Sequence, residues 1–256
     1  MLIVGILCCL MFALAPPAPP AAALQVDAAL TAIEVAGAKL QAFTADVAYQ
    51  KDDALLGGGE LRTGDMVYER SDGAGARLAI RFEYRIDLGD MARRRETKRV
   101  VFDKGWLVES DESQRQFIKR QIVKPGDTAD PMRLGGPFPL PIGQKRADVL
   151  QRFSVIECEG EPDSFSVTKG SSVIGLHLVP LPGTAASKDW AYIDLWYDRE
   201  TWLPVGVRAV EDNGDMRRIR LTNLKPHETL SEAVASQLSI DPPEEGWSVD
   251  VQPWSE

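Results

Sequence analysis

Between residues 190 and 223 the chain alternates apolar and polar positions and breaks sharply between runs, and few folds can accommodate that. Ala191, Ile193, Leu195 and Tyr197 share one parity, as do Val205, Val207 and Ala209. Ile219 and Leu221 share another, with Arg218 and Arg220 opposite. Period-two alternation rich in β-branched and aromatic residues marks strands with one face buried. The break Glu211-Asp-Asn-Gly-Asp215 contains Asn-Gly, which adopts the positive φ angles that a tight hairpin turn requires. The stretch therefore predicts a three-stranded antiparallel meander. It carries no catalytic motif, so it constrains architecture, and any function must come from the surface such a sheet creates.

The same pattern recurs upstream. Alternation predicts strands over 43–49, 64–70 and 76–85, the last with Leu78, Ile80, Phe82 and Tyr84 on one face. Further strands are expected at 100–102, 106–108, 116–123, 164–168, 173–181, 238–240 and 249–251. Gly57-Gly-Gly59 lacks the lysine and following helix of a phosphate-binding loop and reads as a hairpin turn. Five of the seven residues 93–99 are basic, which suits a solvated strand edge, with recognition of an acidic surface as the other reading. Leu30, Ile33, Ala36, Leu40 and Phe43 recur at three and four, predicting an amphipathic helix over 24–43. Shorter helices are expected at 144–153 and 229–238. Residues 124–144 break this rhythm with five prolines and four glycines among Met132, Leu134, Phe138, Leu140 and Ile142. A segment both rich in breakers and apolar is expected to act as a lid or a binding segment.

About eleven strands, mostly hairpin-linked, form a sheet large enough to curl, and helices on one face make it an open barrel around a core or cavity. The fold class expected from the elements is α+β, a large antiparallel sheet with helices over one face. Shared parity along successive strands nominates Met66, Tyr68, Leu78, Ile80, Phe82, Ile193, Leu195, Val205 and Val207 as cavity-lining residues.

Residues 2–15 are apolar throughout and are followed by Pro16-Pro-Ala-Pro-Pro20 and Ala21-Ala-Ala23. That run is too short for a membrane span and ends at small residues, so 1–23 reads as a cleaved signal peptide, an uncleaved anchor being the rival reading, with 24–256 as one domain. Cys8 and Cys9 lack a preceding small residue and are discarded with it, leaving Cys158 without a disulfide partner. A net charge of −9 argues against nucleic acid. His177 lies mid-strand on the polar side and His227 beside a proline, with no elbow motif near either, so a hydrolase triad is poorly supported. No cluster has metal-ligand spacing. The expectation is a binding protein, not an enzyme, without metal or cofactor.

Several short motifs, weak singly, occur in one order. Gly64-Asp-Met-Val-Tyr-Glu-Arg70, Asp103-Lys-Gly-Trp-Leu107 and Gly136-Pro-Phe-Pro-Leu140 come first. Asp198 with Leu203-Pro204, Glu211-Asp-Asn-Gly214, Ile219-Arg-Leu-Thr-Asn223 and Ile240-Asp-Pro-Pro243 follow. Together they resemble the periplasmic outer-membrane lipoprotein carrier (LolA-like) family. Ser71-Asp72 stands where that family often has proline, and the basic run at 93–99 lies outside its pattern.

The resemblance implies an open antiparallel β half-barrel of about eleven strands with a helical and loop lid over an apolar concave face, and a periplasmic carrier, monomeric, that holds acyl chains of lipoproteins or lipids in a hydrophobic cavity. It would take them from an inner-membrane release complex and pass them to an outer-membrane receptor. A related module that binds or senses lipid without handing it on is the alternative. The resemblance also implies a role for Arg70, as a latch that holds the lid shut through hydrogen bonds to lid carbonyls.

Overall fold

The structure, a computed structural model, describes residues 21–55, 57–71, 75–127, 142–158, 173–241, 243 and 245–255. Helix α1 (Ala21–Lys39) leads into β1 (Ala42–Asp52), β2 (Gly59–Ser71) and β3 (Gly75–Asp87). Strands β4 (Arg93–Asp103), β5 (Trp106–Asp111) and β6 (Gln116–Gln121) complete the first half. The second half holds α2 (Arg146–Leu150), β7 (Phe153–Cys158), β8 (Val173–Pro180), β9 (Tyr192–Asp198), β10 (Pro204–Val210) and β11 (Met216–His227). A short helix, α3 (Glu232–Ala235), runs into a 3₁₀ turn, Ser236–Leu238, before β12 (Ser248–Gln252).

All twelve strands form one sheet in the order β12-β6-β5-β4-β3-β2-β1-β11-β10-β9-β8-β7. Pairing is antiparallel throughout except where β12 adds to β6 in parallel. The end strands β7 and β12 are not paired to each other, so the sheet is an open half-barrel. Hairpin chemistry builds most of it. Asn213-Gly214 turns β10 into β11 with Gly214 at φ 89°, and Lys104-Gly105 turns β4 into β5 with both residues at positive φ.

Alternation sorts side chains between the two faces. The concave face carries one continuous apolar cluster from Phe102 on β4 to Leu176 on β8. Helix α1 lies over it and contributes Val26, Ala29, Leu30 and Ile33 from one face, with Leu40 just past its end. A second cluster forms on the convex face of β2 to β6, where Val67, Ala79, Val101, Val108 and Phe117 meet Leu238. Two sheet faces, each with its own cover, make a two-layer packing on either side of the same strands.

Four expectations change here. The first helix ends at Lys39, since Leu40 terminates it and Phe43 already belongs to β1. The helix expected over 144–153 spans only Arg146–Leu150, because Phe153 opens a strand that alternates through Cys158. The basic run lies on β4, an interior strand paired to β3 and β5. Arg93, Arg94 and Arg95 remain exposed, with Arg93 over the Tyr84 ring, whereas Lys98 pairs with Glu109 on β5 at 3.1 Å. The strand expected at 238–240 is absent. Leu238 is instead fully buried against the convex face, and Arg99 donates to Ser239 O at 2.8 Å, so this segment crosses the strands instead of joining them. The strand expected at 164–168 lies outside the described residues.

Candidate functional site: the covered concave face

Eight of the nine nominated cavity residues lie in the concave cluster. Met66 and Tyr68 come from β2, Leu78, Ile80 and Phe82 from β3, Ile193 and Leu195 from β9 and Val207 from β10. None is more than 5% exposed. Val205 differs. The register between β9 and β10 shifts between Pro204 and Gly206, and Val205 sits on this irregularity, half-buried and outside the cluster. A bulge moves one residue off strict alternation, which parity counting alone does not reveal.

The same face holds residues not nominated, notably Phe43, Val47, Phe102, Leu176, Ile219 and Leu221. Their signal was legible. Phe43 and Val47 pair directly with Tyr68 and Gly64, so carrying parity from each strand to its neighbour finds them. Phe43 stacks on Tyr68 with ring centroids 5.3 Å apart.

Of the lid residues, Ile142 is described and is buried in the concave cluster at 1% exposure. Met132, Leu134, Phe138 and Leu140 lie outside the described residues, as do residues 1–20 of the expected signal peptide. The chain that follows Ile142 is fastened to α1. Gly143 meets Gly37 backbone to backbone, so closely that a Cβ built on Gly37 would stand 2.0 Å from Gly143 Cα. Arg146 then donates its amide to Glu34 at 3.0 Å and forms an ion pair with Asp27. Helix α1 and the segment 142–150 thus form one cover.

Arg70 reaches this cover from the sheet. At the end of β2 it donates from Nη1 to Gly37 O at 2.8 Å and to Ala38 O at 3.4 Å. Both are carbonyls of the last helical turn, where Gly37 O also accepts from Leu40 N at 3.3 Å, and a cation there meets the negative end of the helix dipole. The contact is polar, half-buried and made by one side chain, whereas the underside of the cover is apolar.

Towards the β1–β2 hairpin the concave face turns ionic. Arg62 pairs with Glu60 at 3.1 Å and Glu96 at 2.9 Å, and Arg85 pairs with Glu60 at 2.9 Å. Arg217 meets Glu211 at 2.6 Å and lies over the Trp190 ring. Burial pushes the Tyr49 phenol up, with Arg217 pulling the other way. This layer closes one end of the apolar face.

On the convex face of β8 to β10, Asp194 is 1% exposed and is bound from both sides. His177 Nδ1 lies 2.6 Å from Oδ1, and Arg208 Nε donates to Oδ2 at 2.8 Å. These three residues are direct cross-strand neighbours. Burial pushes the nearby Cys158 thiol up to about 11, the Asp194 carboxylate adding to the effect, so the thiol stays protonated. Among the described residues no group of three or more His, Cys, Asp or Glu is placed to hold a metal ion.

No protein-family model matches this chain, and no curated protein matches it. Solved structures do resemble it in chain course. MucB is 18% identical at a TM-score of 0.46, over 86% of this chain and 64% of MucB, so the chain spans under two thirds of that protein. MucB has also been seen in complex with MucA, both from Pseudomonas aeruginosa. LprF from Mycobacterium bovis is 10% identical at a TM-score of 0.46, over 82% of this chain and 97% of LprF. A LolA superfamily protein from Nitrosomonas europaea is 9% identical at 0.32, over 79% of this chain and 94% of its own. At these identities the likeness concerns chain course alone, and the functional reading rests on this chain's own residues.

Proposed function

We propose that this protein is a LolA-like carrier that takes acyl chains of lipids or lipoproteins onto its concave face, beneath α1 and the segment 142–150. The observation that carries the reading is the contrast in how the cover is held. Its underside is apolar, and on the sheet side its rim is tied by Arg70 to two helix-end carbonyls.

Magnitudes favour exchange of the cover's packing for that of an acyl chain. Burying Val26, Leu30, Ile33 and Leu40 contributes about 1.5–3 kcal/mol each, roughly 6–12 kcal/mol in all. A sixteen-carbon acyl chain gains about 0.8 kcal/mol per methylene, on the order of 12 kcal/mol. Terms of similar size can replace one another, so small polar contacts decide which state prevails. Arg70 supplies such contacts only in the covered state. It is therefore assigned as a latch: the guanidinium offers a fixed fork of donors and keeps its charge at any physiological pH.

The setting proposed is the periplasm, with an inner-membrane release complex and an outer-membrane receptor as partners and 1–23 as export signal. Among the described residues no helix is long and apolar enough to cross a membrane. The chain is proposed to bind without catalysing a reaction.

The test is to incubate purified protein with vesicles carrying a triacylated lipoprotein, isolate the soluble fraction and identify bound lipid by mass spectrometry. A soluble one-to-one complex is expected. Arg70→Leu should load as well as wild type but pass its lipid to acceptor vesicles more slowly, with Arg70→Lys between the two. Loading without onward transfer by wild type would make the protein a binding or sensing module. No soluble complex would overturn the proposal.

A further inference from the structure

The sheet splits between β10 and β11. Their pairing runs from Val210↔Met216 to Gly206↔Arg220 and stops there. β10 continues to Pro204 through the irregularity at Val205, still paired to β9. β11 instead follows β1 as far as His227, with its own register shift and Asn223 at φ 51°. Two strands that leave each other to follow outer neighbours open a wedge in the wall.

That wedge is a cleft of about 590 Å³, a size that suits a small amphiphile. Its deep side is formed by Leu203 and Leu221, both members of the concave cluster, with Val205 and Leu224 along its flanks. Arg220 and Thr222 line it and also a second cleft on the outer face, so the wedge lies between the outer surface and the core. Arg220 forms no ion pair among the described residues, and its Nε is buried without a hydrogen-bond partner. Asp198 and Glu200 stand at the same opening.

An unpaired guanidinium beside carboxylates, over an apolar slot, has the charge order of a zwitterionic phospholipid head above its chain. We infer that the β10–β11 wedge is a lateral site for such a lipid. Arg220 takes the phosphate, Asp198 and Glu200 take the ammonium, and the first methylenes lie against Val205 and Leu224 towards Leu203 and Leu221. A free anion is disfavoured by the carboxylates, and a purely apolar ligand leaves Arg220 unpaired. This deepens the proposed function, on which it rests for the idea that the core accepts acyl chains, and adds a second way into it that leaves α1 in place.

The test uses the full chain and soluble dihexanoyl-phosphatidylethanolamine below its micellar concentration, followed by calorimetry. Dihexanoyl-phosphatidylglycerol and inorganic phosphate are run in parallel. Arg220→Gln should weaken phosphatidylethanolamine binding at least about tenfold, Arg220→Lys less, by loss of charge-assisted hydrogen bonds. Val205→Phe, which fills the slot from its flank, should abolish binding. Melting curves establish that each variant is folded, and if Arg220→Gln is not, Arg220→Lys and Val205→Phe carry the test. Weaker binding of phosphatidylglycerol and none of phosphate is expected. Equal binding of phosphatidylethanolamine by wild type, Arg220→Gln and Val205→Phe would place the lipid on the concave face, overturning the wedge and leaving the carrier reading intact. Phosphate bound as tightly as the lipid would reduce the site to an anion contact and overturn it, as would no binding at all. Wedge binding by a protein that never solubilises the triacylated lipoprotein would do the reverse, keeping this site and removing the carrier.

Discussion

Replacing Gly37 with alanine should destabilise the protein, although alanine is the better helix former. In an exposed helix interior the exchange would stabilise by about 1 kcal/mol. Gly37 is buried where α1 crosses the chain at Gly143, and a Cβ there would lie 2.0 Å from Gly143 Cα and 2.4 Å from its nitrogen. Backbone atoms cannot rotate away as a side-chain tip can. Two responses are open. The crossing can shift, at the overpacking cost of about 1–3 kcal/mol. Alternatively the segment can lift off, exposing Ile142 and Val149, each worth about 1.5–3 kcal/mol and both about 2% exposed or less. Shifting costs less. After the propensity gain is subtracted, a net loss of up to about 2 kcal/mol is expected, or a melting temperature lower by up to about 8 °C for a chain of this size. Val35→Ala, on the same helix but 48% exposed, is the control and should stabilise by about 0.5 kcal/mol. Urea denaturation of both variants measures the difference. If Gly37→Ala rises in stability together with Val35→Ala, α1 does not cross the 142–150 segment in this way, and the two are not one cover.

Three further outcomes follow from the packing. Asp194→Ala should cost about 2–3 kcal/mol in urea denaturation, less than a fully buried pair because Arg208 and His177 reach solvent. Leu238→Ala, at a fully buried position, should cost about 2–5 kcal/mol although it lies near the end of the chain, and an effect below the lower figure would mean that the segment does not seal the convex face. Cys158 should alkylate far more slowly than an unfolded control at pH 8. Its folded pKa near 11 against 9.0 unfolded keeps its stabilising contribution whole below pH 9 and removes it as pH rises towards 11, which a Cys158→Ser pH-stability curve would show as a shallower alkaline decline.

Period-two alternation made most of the sheet readable, because burying one face of a strand leaves a trace in every second residue. It located β1, β2, β3 and the β9–β11 meander, and eight concave side chains with them. It could not show Val205 leaving the face, since the irregularity reflects β10 following β9 while β11 follows β1, a choice made between strands. Nor could it show that Arg93–Arg99 lies inside the sheet. A basic run reads as an edge when its partners are unknown, and those of Lys98 and Arg99 come from β5 and the C-terminal crossing. Strand β7 was obscured because Phe153 fits both a helix of period 3.6 with Leu150 and the alternation ahead of it. The position of Arg70 at a strand end was visible, but its acceptors belong to a helix more than thirty residues earlier, a separation only the folded chain closes.

Under the proposed function the protein would lose its cover without losing its fold, and the two separate cores provide for that. The concave cluster depends on α1 for closure. The convex cluster does not: Val67, Ala79, Val101, Val108 and Phe117 are sealed by Leu238, with Trp247 and Ile240 at the margin. Arg99 anchors that second cover through Ser239 O, and β12 extends it onto the edge of β6. Strands β2 to β6 therefore keep one buried face when the other is exchanged from helix to acyl chain. The opposite flank, β8 to β10, has no such cover among the described residues, and there Asp194 joins three strands through His177 and Arg208. Directional polar bonds hold strand to strand whether or not the concave side is filled, whereas apolar packing against α1 would be lost with it. The wall is thus tied on both flanks independently of what fills its concave side, as the proposed loading and release would require.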